Sequence, residues 1–207
     1  MPPNATPAKL FDTIRRWPGI LKRSGQTDGA LLRRIALDLP QFDWEMTAPG
    51  ECEFRPRSTG DGFSVREILE AHFMMRIVSA EFIVRCPVPA HAHAAAPTPG
   101  AALAVHRGRL RRSGVEYLAA GAECESTRTL CTRLARSSRL TRALIPLDFT
   151  HCRFAWNSGW AEMRLRHFGA CEIVGQMPKF RRYVRLGPQQ RESLIECFAG
   201  FREIVRG

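Results

Sequence analysis

Three stretches in the second half of the chain alternate residue by residue. In 149–156, Cys152, Phe154 and Trp156 share one parity and Arg153 takes the other. In 161–168, Met163 and Leu165 alternate with Arg164 and Arg166. In 180–186, Phe180, Val184 and Leu186 share a parity with Arg182, while Arg181, Tyr183 and Arg185 fall opposite. A period of two is the geometry of a pleated strand, whose successive side chains point to opposite faces. Such a chain buries one face of a sheet and leaves the other to water or to a partner. Asn157-Ser158-Gly159 turns the first two stretches into a hairpin. An earlier stretch from Val78 alternates in the same way, with Ala80, Phe82, Val84 and Cys86 on one side and Glu81, Ile83 and Arg85 on the other. Further strands are expected at Gln41–Met46 and Cys52–Arg57, joined by Ala48-Pro49-Gly50, and at Leu103–Leu110, Val115–Ala119 and Cys171–Gly175.

Helical periodicity marks other segments. Leu31, Leu32, Ile35 and Leu39 line a helix from about Asp28 to Leu39, which Pro40 stops. Leu130, Leu134, Ser137, Thr141 and Leu144 form the inner face of a helix over Ser126–Leu144, and Pro146 ends it. A last helix starts at Pro188, with Leu194, Ile195, Phe198, Phe201 and Val205 inward. Ser64-Val65-Arg66-Glu67 has the capping-box pattern, and Val65, Ile68, Leu69, His72 and Phe73 fit one helical face. A helix from 65 to about 76 is preferred there over a long strand through Met75. Together these elements predict an α+β fold: one curved antiparallel sheet or two small ones, flanked by three to four helices. Helix, Pro40, strand, turn, strand recurs as helix, Pro146, strand, turn, strand. An internal duplication or the shared grammar of α+β folds would each produce that echo.

The 207 residues, 44% hydrophobic and 25% charged, suit one globular domain. We expect that domain over 27–207, preceded by a basic arm at 1–26 and interrupted by a flexible Pro/Ala/His loop at 87–101. The arm carries Leu10, Phe11, Ile14, Trp17, Ile20 and Leu21 among its basic residues, which fits an arm packed on the domain or a helix lying on a membrane surface. No apolar core of a signal peptide follows Met1, and no transmembrane segment is expected. The seven cysteines are odd in number and include no Cys-x-x-Cys, so they read as small buried hydrophobes in a reducing cytoplasm.

The formal net charge is +11. Residues 101–207 hold 19 basic and 9 acidic side chains, whereas residues 1–100 are nearly neutral. All basic residues but Lys9, Lys22 and Lys179 are arginine, a bias that coding composition alone can produce. If the alternating strands are neighbours, Arg153, Arg164, Arg166, Arg181 and Arg185 surround Tyr183 on one sheet face. A guanidinium matches carboxylates and phosphates in a fork, and an aromatic ring among guanidinium groups can stack a base. Arg128, Arg136 and Arg139 line the outer side of the central helix. These residues predict a binding or adaptor domain that meets an acidic protein or a nucleic acid. The competing reading is a solvated face whose arginine stems cover apolar surface.

Other chemistry has less support. No Gly-x-Ser-x-Gly, phosphate loop or dinucleotide fingerprint is present, and the balance leans away from an enzyme. Asp148, His151, Cys152, His167 and Cys171 are zinc-ligand types, but His151 and Cys152 point to opposite sides of one strand. His91-Ala-His93 lies in the low-complexity loop. Neither a metal nor a cofactor is expected. The alternative function is an enzyme or small-ligand protein with a polar pocket near Asp148, His151 and His167.

Ile145-Pro-Leu-Asp-Phe-Thr-His-Cys, Arg166-His-Phe-Gly-Ala-Cys-Glu and Phe180-Arg-Arg-Tyr-Val-Arg-Leu before the last helix resemble an uncharacterised domain family of proteobacteria. The resemblance covers about residues 50–205. It implies a bacterial α+β protein of unknown function and assigns no catalytic residues.

Overall fold

Nine strands pair edge to edge, every pair antiparallel, in a computed structural model that describes residues 29–58, 60–88, 100–108, 113–121, 124–157 and 159–207. The arm at 1–26, His91, His93 and most of the Pro/Ala/His loop lie outside the described residues. In chain order the elements are α1 (Ala30–Asp38), β1 (Phe42–Ala48), β2 (Glu51–Pro56), β3 (Phe63–Ala71), β4 (Met75–Pro87), β5 (Gly100–Arg107) and β6 (Gly114–Ala119). Then come α2 (Glu125–Arg136), α3 (Ser138–Leu144), β7 (Phe149–Asn157), β8 (Trp160–Gln176), β9 (Lys179–Val184) and α4 (Pro188–Arg206). The sheet runs β1-β2-β3-β4-β8-β7-β5-β6, and β9 pairs with β8 beyond the end of β7. The fold is α+β, with one sheet. The two helix–proline–hairpin units take different places in it: β1–β2 is an edge and β7–β8 is central.

The helices cover a single face. On β4 the even residues Val78, Ala80, Phe82, Val84 and Cys86 are buried, as the alternation predicts. Phe198 of α4 packs on Phe63 and Phe82, and Phe201 packs on Phe154. α3 and α4 touch closely: a β-carbon on Gly200 would lie 3.0 Å from the Leu140 amide nitrogen. The opposite face of the central strands carries no helix.

The expected helix at 65–76 is instead strand β3 and the turn after it. Val65 and Leu69 face the helices, and Arg66, Ile68 and Glu70 face away. Here the hydrophobic pattern fitted both periods, and pairing with β2 and β4 on both edges decides for the strand. Glu67, which looked like the reciprocal cap of its own helix, caps another one. Its Oε1 accepts the Leu32 amide in the first turn of α1 at 3.3 Å. α1 needs this help, because its N-cap is Gly29 in the left-handed region, without a capping side chain.

The expected single helix over 126–144 is two. The chain breaks at Ser137, whose backbone is extended and whose hydroxyl caps α3 by accepting the Leu140 amide at 3.2 Å. The break turns Leu140 and Leu144 to the core alongside Leu130 and Leu134.

The third correction concerns β8. Two separate strands were expected, yet residues 160–176 form one strand with a large bulge. Between the pairs Glu81–Arg166 and Ser79–Cys171, β4 advances two residues and β8 advances five. The odd number of extra residues inverts parity beyond the bulge. Ala170 sits there at φ 61, the left-handed region. His167 braces the bulge: its Nε2 accepts the Asp148 amide at 2.9 Å, so the ring is neutral with the proton on Nδ1, facing the Gly169 carbonyl at 3.3 Å.

Past the bulge, Asp38 at the end of α1 joins three elements. Its carboxylate, 1% exposed, accepts the Tyr183 hydroxyl at 2.7 Å and both Nε and Nη2 of Arg185 at 3.1 and 2.9 Å. Its backbone carbonyl accepts Arg191 of α4 at 2.7 Å. Removing the carboxylate leaves the half-buried Tyr183 hydroxyl without its acceptor. Asp38→Ala is expected to lower stability by about 2 kcal/mol, or roughly 4–8 °C in Tm, by thermal melting followed by circular dichroism.

Candidate anion-binding face

The helix-free face is ordered by strand register into rows of side chains that run across the sheet. One row reads Glu51, Arg66, Glu81, Arg166, His151 over β2, β3, β4, β8 and β7. A second places Arg85 of β4 opposite Glu162 of β8, followed by the small residues Ala155 and Ala101 of β7 and β5. Between them lies a row in which Arg164 and Arg153 stand directly opposite one another.

Two carboxylates organise the arginines. Glu81, 2% exposed, accepts Arg66 at 2.5 Å and Arg166 at 2.9 Å, with Arg164 3.9 Å away. Glu162, 3% exposed, accepts Arg85 at 2.6 Å and Arg164 next to it on the same strand. Burial alone would raise the pKa of both carboxyls and disfavour their ionisation. The hydrogen bonds from Arg166 and Arg66 to Glu81, and from Arg164 and Arg85 to Glu162, outweigh it and hold both below the usual carboxylate range. Arg166 also reaches Glu70 at 3.4 Å. His151 beside it is kept neutral more firmly than usual by burial and by the Arg166 charge.

Arg153 breaks the pattern. It has no carboxylate partner among the described residues and faces Arg164, a like charge, across the strand pair. It opens onto a cleft of about 580 Å³ at the end of the sheet. Ala101 and Ala155 form its floor, and Trp160, Asn157, Arg164 and Glu162 stand around it. The start of α2 closes the far side with Cys124 and Thr127. The Cys124 sulfur lies 2.8 Å from the Ser126 hydroxyl and 3.0 Å from the Thr127 hydroxyl. Those two hydrogen bonds lower its pKa to about 7. Trp160 is 39% exposed, an uncommon state for a tryptophan. The cleft therefore offers an unmatched guanidinium, a second one held in place by Glu162, an aromatic plane and a polarised thiol.

The structure divides the sequence-predicted residues. Arg153, Arg164 and Arg166 share the helix-free face. Arg181, Tyr183 and Arg185 do not join them, because the bulge in β8 sends their parity to the helix side. There Arg181 forks Glu172 at 2.6 and 2.7 Å, and Arg34 lies over the Tyr183 ring at 5.5 Å. On the helices, Arg139 pairs with Glu196 and Glu203 of α4, while Arg128 and Arg136 are exposed. His167 is buried with its own backbone partners, and His151 lies on the sheet face opposite the helices. Asp148, His151 and His167 line neither the Arg153 cleft nor three further clefts found among the described residues. Among the described residues no three His, Cys, Asp or Glu side chains gather as metal ligands.

Cys124, Asn157 and Trp160 were missed by sequence reasoning. Trp160 shares the parity of Arg164 and Arg166, so extending that alternation to the start of the strand would have placed it. Cys124 carried no comparable signal, since what marks it is the contact of a helix start with a distant strand end.

The chain belongs to the family described as Protein of unknown function (DUF3156), whose match spans residues 37–205. No curated protein and no solved structure matches the chain. No described helix is long and apolar enough to cross a membrane.

Cys124 is expected to be the fast thiol in iodoacetamide labelling read by mass spectrometry, with half-maximal rate near pH 7. Cys52, pushed up to about 12 by burial, and the buried Cys152 and Cys197, also raised, should label only on unfolding. Ser126→Ala with Thr127→Val should move the midpoint for Cys124 upward. Glu81 and Glu162 ionise at lower pH folded than unfolded. The stability they lend is full above the ordinary carboxylate range and drains as pH falls from it through their lowered folded values. Glu81→Gln should therefore lower stability at neutral pH and flatten its acid-side slope in urea titrations at several pH values.

Proposed function

We propose that this is a non-catalytic, cytoplasmic binding domain that recognises an anionic group on a partner protein through the helix-free face of its sheet, centred on Arg153. The observation that carries this reading is the Arg153–Arg164 juxtaposition beside an open cleft, on a face where every other arginine of the central rows has a carboxylate. A carboxylate placed between the two guanidinium groups relieves their repulsion and completes the alternation of the neighbouring rows. The same alternation favours protein over nucleic acid. Glu81 and Glu162 remain ionised and interrupt the positive field, which suits a partner of mixed charge better than a continuous phosphate backbone. Trp160 supplies the apolar contact that protein interfaces favour.

Arg153→Glu tests the reading cleanly, because Arg153 supports no ion pair of the fold. Binding to poly-glutamate at low salt, followed by fluorescence anisotropy, should weaken about tenfold or more, with Tm not lowered. Equal binding by wild type and Arg153→Glu would reject the site. A single-stranded DNA probe bound more tightly than poly-glutamate, with a steep salt slope, would transfer the reading to nucleic acid.

A further inference from the structure

At the other end of β8 the sheet presents an apolar, basic tip, and we propose that this tip docks on an anionic lipid surface. Two turns form it. The β3–β4 turn carries Phe73 and Met74 before Met75 at the start of β4, and the β8–β9 turn carries Met177 before Phe180 of β9. The turns are tied together, with the Gln176 amide donating to the Met74 carbonyl at 2.9 Å. Five large apolar side chains stand in solvent on this one tip. Phe73 is 96% exposed and Met177 75%, and Phe180, Met74 and Met75 are each at least two-fifths exposed. Scattered singly, exposed apolar residues need no explanation, but a contiguous group on adjoining turns marks a contact surface. Phe180 is held in place, since its ring lies across Gly175, where a β-carbon would come within 2.1 Å of it.

Charge selects the occupant. Arg76, Lys179 and Arg182 are exposed around the apolar group and have no carboxylate partner among the described residues. No Asp or Glu occurs in 71–77 or in 173–184. Glu70 and Glu172, which border those segments, are already paired with Arg166 and Arg181. Arg76, Lys179 and Phe180 line one cleft of about 690 Å³, a place for a headgroup phosphate beside an inserted ring. Phenylalanine and methionine projecting past a ring of unpaired cations is the arrangement that inserts into the interface of an anionic bilayer, with the cations at headgroup level. The turns project outward, and a lipid interface deforms around such a shape, whereas a protein partner would have to offer a matching socket. The inference is independent of the Arg153 face, because it uses other residues at the opposite end of the strand.

The test is cosedimentation of the full chain with phosphatidylcholine vesicles, with and without one-third phosphatidylglycerol. Binding is expected to the anionic vesicles and to be at least about tenfold weaker to the zwitterionic ones. Phe73→Ser with Met177→Ser should reduce anionic binding about tenfold or more, and so should Arg76→Glu with Lys179→Glu. Arg153→Glu should leave it unchanged, which separates this surface from the sheet face. Met177→Gln, the least intrusive change, repeats the test at one largely exposed position. Absence of vesicle binding, equal binding to both vesicle types, or binding unmoved by the tip substitutions would overturn the proposal. So would self-association that Phe73→Ser abolishes without lipid present, since it would give the tip to a second copy of the chain.

Discussion

Strand β8 pairs with β4 over nearly its whole length, while its other edge serves β7 first and β9 afterwards. The bulge between Arg166 and Cys171 makes that arrangement possible. The extra residues bend the strand and let β9 continue where β7 stops. They also exchange the faces. Before the bulge, Arg164 and Arg166 point away from the helices, and beyond it Glu172 points toward them, where it meets Arg34 and Arg181. His167 holds the bulge closed against the start of β7. The positions of both the sheet-face arginines and the Asp38 junction follow from this one irregularity.

The arginine excess takes on a different meaning once the side chains are placed. Buried ion pairs are a poor guarantee of stability, because desolvation offsets most of their attraction. Glu81 and Glu162 avoid the worst of that cost by lying under partly exposed guanidinium groups, which keep contact with water while shielding the carboxylates. What this arrangement secures is position. Arg85 and Arg164 are held through Nε, Arg166 through Nε and Nη1, and Arg66 through Nη2. A lysine could not be fixed in the same way, having no planar fork. Thus the preference for arginine, whatever its origin in coding composition, has a structural use on this face.

Most of the sheet was legible from alternation, because a half-buried strand has to separate polar from apolar side chains at a period of two. Val78–Cys86 and 149–156 show this directly, and so does the stripe on the last helix. The failures have physical causes. At Ser64–Phe73 an apolar spacing compatible with both periods was decided by pairing on two edges, which no local pattern contains. At Ser137 a helix broke because the next turn had to pack against Gly200 of a distant helix. At 166–171 an inserted segment inverted parity, so Tyr183, read as the centre of the arginine face, lies under Arg34 on the other side. The candidate site was half legible for the same reason. Arg153, Arg164 and Arg166 precede the bulge and were placed together, whereas Arg181 and Arg185 follow it.

Among the described residues, the Arg153 cleft and the Phe73 tip both hold unmatched cations of the sheet, and they lie at opposite ends of β8. At about 3.3 Å per residue, the run of β4 from Pro87, paired with Trp160 at the cleft, to Met75 at the tip separates the two by roughly 40 Å. Elsewhere on the sheet, cations are matched locally: Arg55 by Glu53, Arg57 by Asp43, Arg107 by Glu116. Such exposed pairs add little stability, since a solvated charge gains nearly as much from water as from a neighbour. An unmatched cation beside another cation, as at Arg153, or beside exposed phenylalanine, as at Arg76 and Lys179, gains most from an anion brought from outside. Taken together, the two proposals, one at each end of β8 and different in kind, describe a domain that joins one anionic surface to another.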